Sequence, residues 1–177
     1  MPSKPLNLLA LTTLASLLMP AMASVAQFPG LPLRQSVQTR SVAQANSPVA
    51  AMEESVLAQI NQYRAKRNLP PLQMNGAIST QARNHSQAMA SGRVPFSHDG
   101  FQQRMKVISQ TLPYSAAAEN IAYNLRYTDP GKQAVQTWLQ SSPHRKNIEG
   151  NFNLTGIGIA QNAKGTYYFT QIFIRSR

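Results

Sequence analysis

Three side chains in this sequence have the chemistry for acid–base or metal work: His98 in PFSHDGF, Glu119 in AENIAYN and His144 in SSPHRKN. Two imidazoles and a carboxylate can hold a divalent ion such as zinc and leave a coordination position open. The same groups can serve a hydrolase, with Glu119 or His144 as the acid–base residue. Their spacing is long and irregular, so no single helix can present them together, as it does in His-Glu-x-x-His. The fold has to bring them into one place.

Each residue carries a local reason to seek polar company. Ser142 is predicted to cap a helix with Pro143 at its first position, which puts His144 in the first turn. The exposed amides there disfavour an imidazolium, so His144 is expected to stay neutral to lower pH than a free histidine. Read alone, it is either a site residue or a surface histidine at a helix start. Glu119 is one of six acids, and it lies in the uncharged stretch 115–125, where a carboxylate is costly unless paired. His98 sits on a tight turn, a frequent place for site residues on a rigid scaffold. Gln171 lies mid-strand among aromatics and needs partners for its amide. His85, the third histidine, falls in the apolar stripe Ile78, Ala82, His85, Met89 and reads as a hydrogen-bonded core residue.

The elements that must position these groups follow from the hydrophobic periods. Ser55 is read as the N-cap of a helix running to about Asn68, with Glu53 and Glu54 at its positive end and Pro70-Pro71 beyond it. A second helix spans about Ala77 to Ser91 and closes at Gly92. Shorter helices are expected over Phe101–Ile108 and Gly131–Leu139. The tail reads as a hairpin. TGIGIA puts Thr155, Ile157 and Ile159 on one face and Gly156, Gly158 and Ala160 on the other, where a helix can approach closely. NAKG turns the chain. TYYFTQIFI then sets Tyr167, Phe169, Gln171 and Phe173 against Tyr168, Thr170, Ile172 and Ile174. Helices precede strands without βαβ alternation, which predicts an α+β fold with an antiparallel sheet covered by helices.

Composition bounds the setting. Lys4, the apolar run LLALTTLASLLM and AMA at 21–23 form a signal-peptide pattern over residues 1–23, with cleavage after Ala23 or, alternatively, Ala26. Residues 24–52 read as a flexible tether, and 53–177 as one domain. The apolar run is too short to span a bilayer, so a secreted or periplasmic protein is expected. There is no cysteine, which excludes a thiol enzyme and a disulfide scaffold. Seventeen Lys and Arg against six acids give a net charge of +11, scattered along the chain. That reads first as a solvated cationic surface and, as the alternative, as attraction to polyanions outside the cell, such as wall polymers or anionic lipid. No nucleic-acid motif accompanies the charge.

HSQAMASGRVPFSH, AENIAYN, AVQTWLQSSPHRKNI, TGIGIA and YYFTQIF, in this order, resemble the CAP superfamily, also called SCP-like: cysteine-rich secretory, antigen 5 and pathogenesis-related proteins, with many exported bacterial members. The resemblance covers about Ser55 to Arg177. It implies a three-layer α-β-α sandwich with a central antiparallel sheet and a cleft lined by two histidines and two acids. His98 and Glu119 match its first histidine and its Glu-Asn segment, and His144-Arg145 resemble the bacterial Ser-Pro-x-His-Arg form. Two positions depart from the plant and animal pattern: Ser141 stands where Glu is frequent, and Tyr168-Phe169-Thr170-Gln171 replaces His-Tyr-Thr-Gln. The expected cleft therefore comprises His98, Glu119, His144, Asn120, Arg145 and Gln171, with His98 and His144 as ligands for Zn2+ or another divalent cation.

The resemblance implies a non-enzymatic extracellular binding module for an unknown ligand, lipid or anionic cell-surface polymer. The absence of a nucleophile elbow or ordered triad agrees with it. The alternatives are a metal-assisted hydrolase, with Glu119 and His144 catalytic and Arg145 steadying an anionic intermediate, and electrostatic docking on an anionic wall or membrane.

Overall fold

The computed structural model describes residues 47–177. The predicted signal peptide and residues 24–46 of the predicted tether lie outside the described residues. The first helix, α1, spans Pro48–Ala65 and so begins before the predicted start at Ser55. Its N-cap is Ser47, whose Oγ accepts from the Ala50 amide at 3.1 Å, and Pro48 follows as a preorganised first residue. This moves Glu53 out of the first turn and into the helix body. Its role is not with the helix dipole: the side chain is buried against the Ile159 amide and Arg83. At the other end Arg64 is buried and donates to the carbonyls of Pro70, Ile148 and Gly150, which ties α1 to the loop after it and to the C-terminal end of α5.

Beyond α1 come β1 (Gln73–Met74), α2 (Gly76–Ala90), α3 (Phe101–Ser109), β2 (Tyr114–Asn124), α4 (Pro130–Gln140), α5 (Ser142–Glu149), β3 (Leu154–Gln161) and β4 (Tyr167–Ser176). The sheet order is β1-β3-β4-β2. The three long strands pair antiparallel, as predicted, and the two-residue β1 adds a parallel contact at Leu154 and Thr155, so the sheet is mixed at that edge.

The alternation in β4 sorts the core into two layers. Phe169 and Phe173, with Ile157 and Ile159 of β3, pack against Val56 and Ile60 of α1, Trp138 of α4 and Ile148 of α5. Ile172 and Ile174 face the other way, against Ile78 and Ala82 of α2 and Met105 and Ile108 of α3. The two glycines of TGIGIA explain how close α2 comes. A Cβ on Gly156 would lie 2.3 Å from the backbone of Ile78 and Ser79, and one on Gly158 would lie 2.0 Å from the Arg83 nitrogen.

The strand β2 lies at the edge of the sheet, and its outward carbonyls are covered by side chains. The Trp138 indole N–H donates to the Ile121 carbonyl at 3.0 Å, and Asn147 Nδ2 donates to the Glu119 carbonyl at 3.4 Å. Helices α4 and α5 thus close an edge that would otherwise be open to pairing. The same contacts bring α5, and with it His144, to the strand that carries Glu119.

Candidate functional site

Glu119 projects from β2 toward α3, and its side chain is only 2% exposed. A buried carboxylate needs a cation or several donors, and Arg104 of α3 supplies both. Its Nε donates to Oε2 at 2.9 Å, and its Nη2 lies 2.8 Å from both carboxylate oxygens. The remaining nitrogen, Nη1, donates to the Asp99 carbonyl at 2.9 Å, so one guanidinium fixes the carboxylate and the turn beside it. Sequence reasoning misses Arg104. The legible signal is its place on the inward stripe Phe101, Arg104, Met105, Ile108, where a charge without a partner would not be tolerated.

His98 completes the cluster from that turn. Its Nδ1 lies 3.0 Å from Glu119 Oε1, while its ring is half exposed. A carboxylate held by arginine is an acceptor, so Nδ1 donates to it and Nε2 is turned away from the pair. The turn has its own support. His85, buried in α2, donates from Nε2 to the Ser97 carbonyl at 2.9 Å, the amide of Phe101 returns to the His98 carbonyl, and Gly100 takes φ 76°. The core role predicted for His85 is thus specific: it holds the residue next to His98.

His144 enters from the other side of the β2 edge. The helix that carries it is capped at Ser141, one residue earlier than predicted, with Pro143 in its first turn and no side-chain cap bond. Asn120 Nδ2 donates to the His144 carbonyl at 3.1 Å, and Asn147 Nδ2 donates to Asn120 Oδ1 at 2.8 Å, which anchors the helix on β2. The imidazole Nδ1 is buried with no partner among the described residues. Its pKa lies below the ordinary histidine value, first because of burial and second because of the charge on His98, so the two rings are within electrostatic reach. The direction is the one predicted, but burial rather than the helix amides leads.

Two expected cleft residues stand elsewhere. Gln171 pairs in register with Asn120, while Glu119 pairs with Ile172, so Gln171 and Glu119 project from opposite faces of the sheet. Gln171 is fully buried; its Nε2 donates to Thr155 Oγ1 at 3.2 Å and its Oε1 has no partner among the described residues. It belongs to the core and not to the cleft. Arg145 donates to the Leu139 carbonyl at 2.9 Å, at the end of α4, a structural contact with no bond to the cluster. Asn120 supports the site through its carbonyl and amide bonds from the far face.

The donor set fits a metal only in part. Both oxygens of Glu119 are engaged, so the groups left to hold an ion are the imidazoles, through His98 Nε2 and a ring nitrogen of His144. Glu119 would then orient His98 from behind, as carboxylates do for ligand histidines. Among the described residues no group of three or more His, Asp or Glu side chains is arranged as a metal cage. Nor does a hydroxyl bond either imidazole among them.

The pKa values of His85 and His144 are both lowered, His85 chiefly by burial and then by Arg104. Near the ordinary value of 6.5 the unfolded chain takes up protons that these two folded histidines refuse. Stability should therefore be flat above that pH and fall as the pH drops from there toward the folded values. Thermal melts across this range should show the decline, and His144→Gln should make it shallower.

A mixed sheet between two helical layers, with a buried Arg–Glu pair bonded to His98 at its edge strand, defines an α-β-α sandwich. The sequence model of the Cysteine-rich secretory protein family, CAP, matches residues 57–173, and the chain belongs to that family. It is 34% identical over 142 residues to the uncharacterized protein YkwD of Bacillus subtilis, covering 77% of this chain and 52% of that protein. It thus spans about half the length of that relative. It resembles the structure of an extracellular SCP-domain protein from Bacillus anthracis, with 30% identity, a TM-score of 0.56, and 71% of this chain and 40% of that one covered. An outer surface protein from Borrelia burgdorferi shares the fold at 16% identity and a TM-score of 0.63, over 74% of this chain and 97% of that one. Among the described residues no helix is long and apolar enough to cross a membrane.

Proposed function

We propose that this is an exported extracellular binding module whose cleft holds a divalent cation, with zinc the best match, between His98 and His144. The observation that carries the reading is the state of Glu119. A carboxylate that is 2% exposed and clamped by a guanidinium is poorly placed to attack a substrate or to take its proton. It is well placed to fix the tautomer and direction of His98. When bound, the cation would supply a Lewis-acidic point for an anionic or carbonyl ligand. The chain's own groups do the rest: Arg104 neutralises Glu119, Glu119 orients His98, His85 holds the turn, and Asn120 with Asn147 seats the helix of His144.

The half-exposed ring of His98 can be reached from solvent. The extracellular setting is supported by the signal-peptide pattern and by the Bacillus anthracis relative. Elemental analysis of the purified full chain, before and after chelator, tests the proposal. Close to one equivalent of zinc is expected, regained on zinc addition and lost in the His98→Ala/His144→Ala variant while the fold is retained. A folded double variant that keeps its zinc contradicts it. So does chelator-sensitive proteolysis of casein by the wild type, abolished in the same variant, which would make the site a hydrolase.

A further inference from the structure

A hollow lies away from His98 and His144. It measures about 500 Å³ and sits where the first turn of α1, the middle of α2 and the end of β3 part from one another. That volume is in the range of ligand pockets. Its floor is an ion pair: Glu53, with a side chain 2% exposed, takes Arg83 Nε at 3.0 Å on both oxygens and is bonded by Nη2 as well. Among the described residues nothing bonds Arg83 Nη1, and the side chain is 36% exposed. Primary amides of Asn84, Gln87 and Gln161 line the walls.

One wall is an open strand edge. The strand β1 covers only Leu154 and Thr155 of β3, and among the described residues no strand pairs with the later residues on that side. The Ile159 amide points outward, because it donates to Glu53 Oε1 at 3.1 Å rather than to β4. Alternation then turns the Ile159 carbonyl and the amide and carbonyl of Gln161 the same way. The Asn162 amide, one residue on, closes the hairpin to Thr166 and agrees with that phase. On β2 the outward carbonyls of Glu119 and Ile121 are covered by Asn147 and Trp138. Along β3 beyond Thr155 the Ile159 amide is covered, among the described residues, by a carboxylate in the place of a strand carbonyl.

We propose that this hollow binds an extended peptide carrying a carboxylate. The peptide main chain adds to the sheet at the Ile159 carbonyl and the Gln161 amide. The side-chain amides of Asn84 and Gln87, each both donor and acceptor, take the peptide's other main-chain groups. Its carboxylate meets Arg83 Nη1, the nitrogen of that guanidinium with no bond among the described residues, in a protein of net charge +11. Val49, Ala50 and Ala160 add apolar wall, but the ion pair at the floor and the three amides favour a peptide over a lipid tail. The site is independent of the histidine cleft and of any metal there.

The test uses the full-length 15N-labelled chain titrated with acetyl-Ala-Val-Ala-Ala as the free acid and as the C-terminal amide. The amide resonances of Ile159 and Gln161 should shift, and the acid should bind about tenfold more tightly than the amide, the gain of one charge-assisted hydrogen bond. Gln161→Pro removes an N–H that takes no part in the β3–β4 ladder, so it should keep the melting temperature and abolish the shifts. His98→Ala/His144→Ala should bind the peptide as the wild type does, which separates this site from the metal reading. Equal binding of acid and amide, shifts that map elsewhere, or an unchanged Gln161→Pro would overturn the proposal. So would contacts from residues before Ser47 to Gln161 in the free protein, which would make the chain itself the occupant.

Discussion

Arg104→Met should lower the stability of the protein by about 3–5 kcal/mol, the cost of leaving a buried charge without its partner. The expectation rests on the burial of both groups, with side chains 10% and 2% exposed, and on two-point contact between guanidinium and carboxylate. Glu119 would keep only the single bond from His98, whose ring is half in solvent. The loss of the Asp99 carbonyl contact adds a second effect, because that bond holds the turn on which His98 stands. Urea unfolding should show a lower midpoint with an unchanged slope. The double variant Arg104→Met/Glu119→Leu should recover much of the loss, since removing both charges leaves nothing stranded. A single variant as stable as the wild type would mean that Glu119 is not buried against Arg104.

Gly158→Ala should cost about 3 kcal/mol or more, although it adds a single methyl group. The added Cβ would sit 2.2 Å from the Ala82 carbonyl carbon and 2.0 Å from the Arg83 nitrogen, and both are backbone atoms of a helix interior. No side-chain rotation can relieve such a contact; α2 has to move off the sheet. That movement would also disturb the Ser86 hydroxyl, which donates to the Gly158 carbonyl at 2.8 Å. A fall in the urea midpoint measures the effect. Gly76→Ala provides the control, because nothing lies within 4 Å of a Cβ at that position and its cost should be small.

These two sites also mark what can be read from sequence and what cannot. The alternation of TGIGIA and YYFTQIF has a period of two, so it assigns each residue of the hairpin to a face, and the glycine face is the one that α2 touches. The need of Glu119 for a partner is legible from its isolation among uncharged residues. The identity of the partner is not, because Arg104 reaches it through a helix-to-strand packing that no local pattern encodes. Gln171 shows the converse. Its polarity marks it as unusual, but which face it shares with β2 depends on the β2–β4 register, a long-range fact. Consecutive residues such as Glu119 and Asn120 must point to opposite faces, so a cleft drawn to include Glu119, Asn120 and Gln171 together cannot stand on one side of the sheet. The early start of α1 is signalled by Ser47-Pro48, the same pair of residue types that marks a helix start at Ser142-Pro143. The parallel β1 has only two residues and leaves no period to detect.

The central claim is that His98 and His144, which come from a loop on one side of the sheet and a helix on the other, meet over Glu119 at the β2 edge. The most direct measurement is an NMR pH titration of the His144 ring in the chelator-treated, metal-free wild type and in metal-free His98→Ala. The wild-type ring should titrate below the ordinary histidine value, and removal of His98 should raise its pKa toward that value by lifting a neighbouring charge. A His144 titration curve that is the same in both proteins would place the two imidazoles apart and contradict the shared cleft.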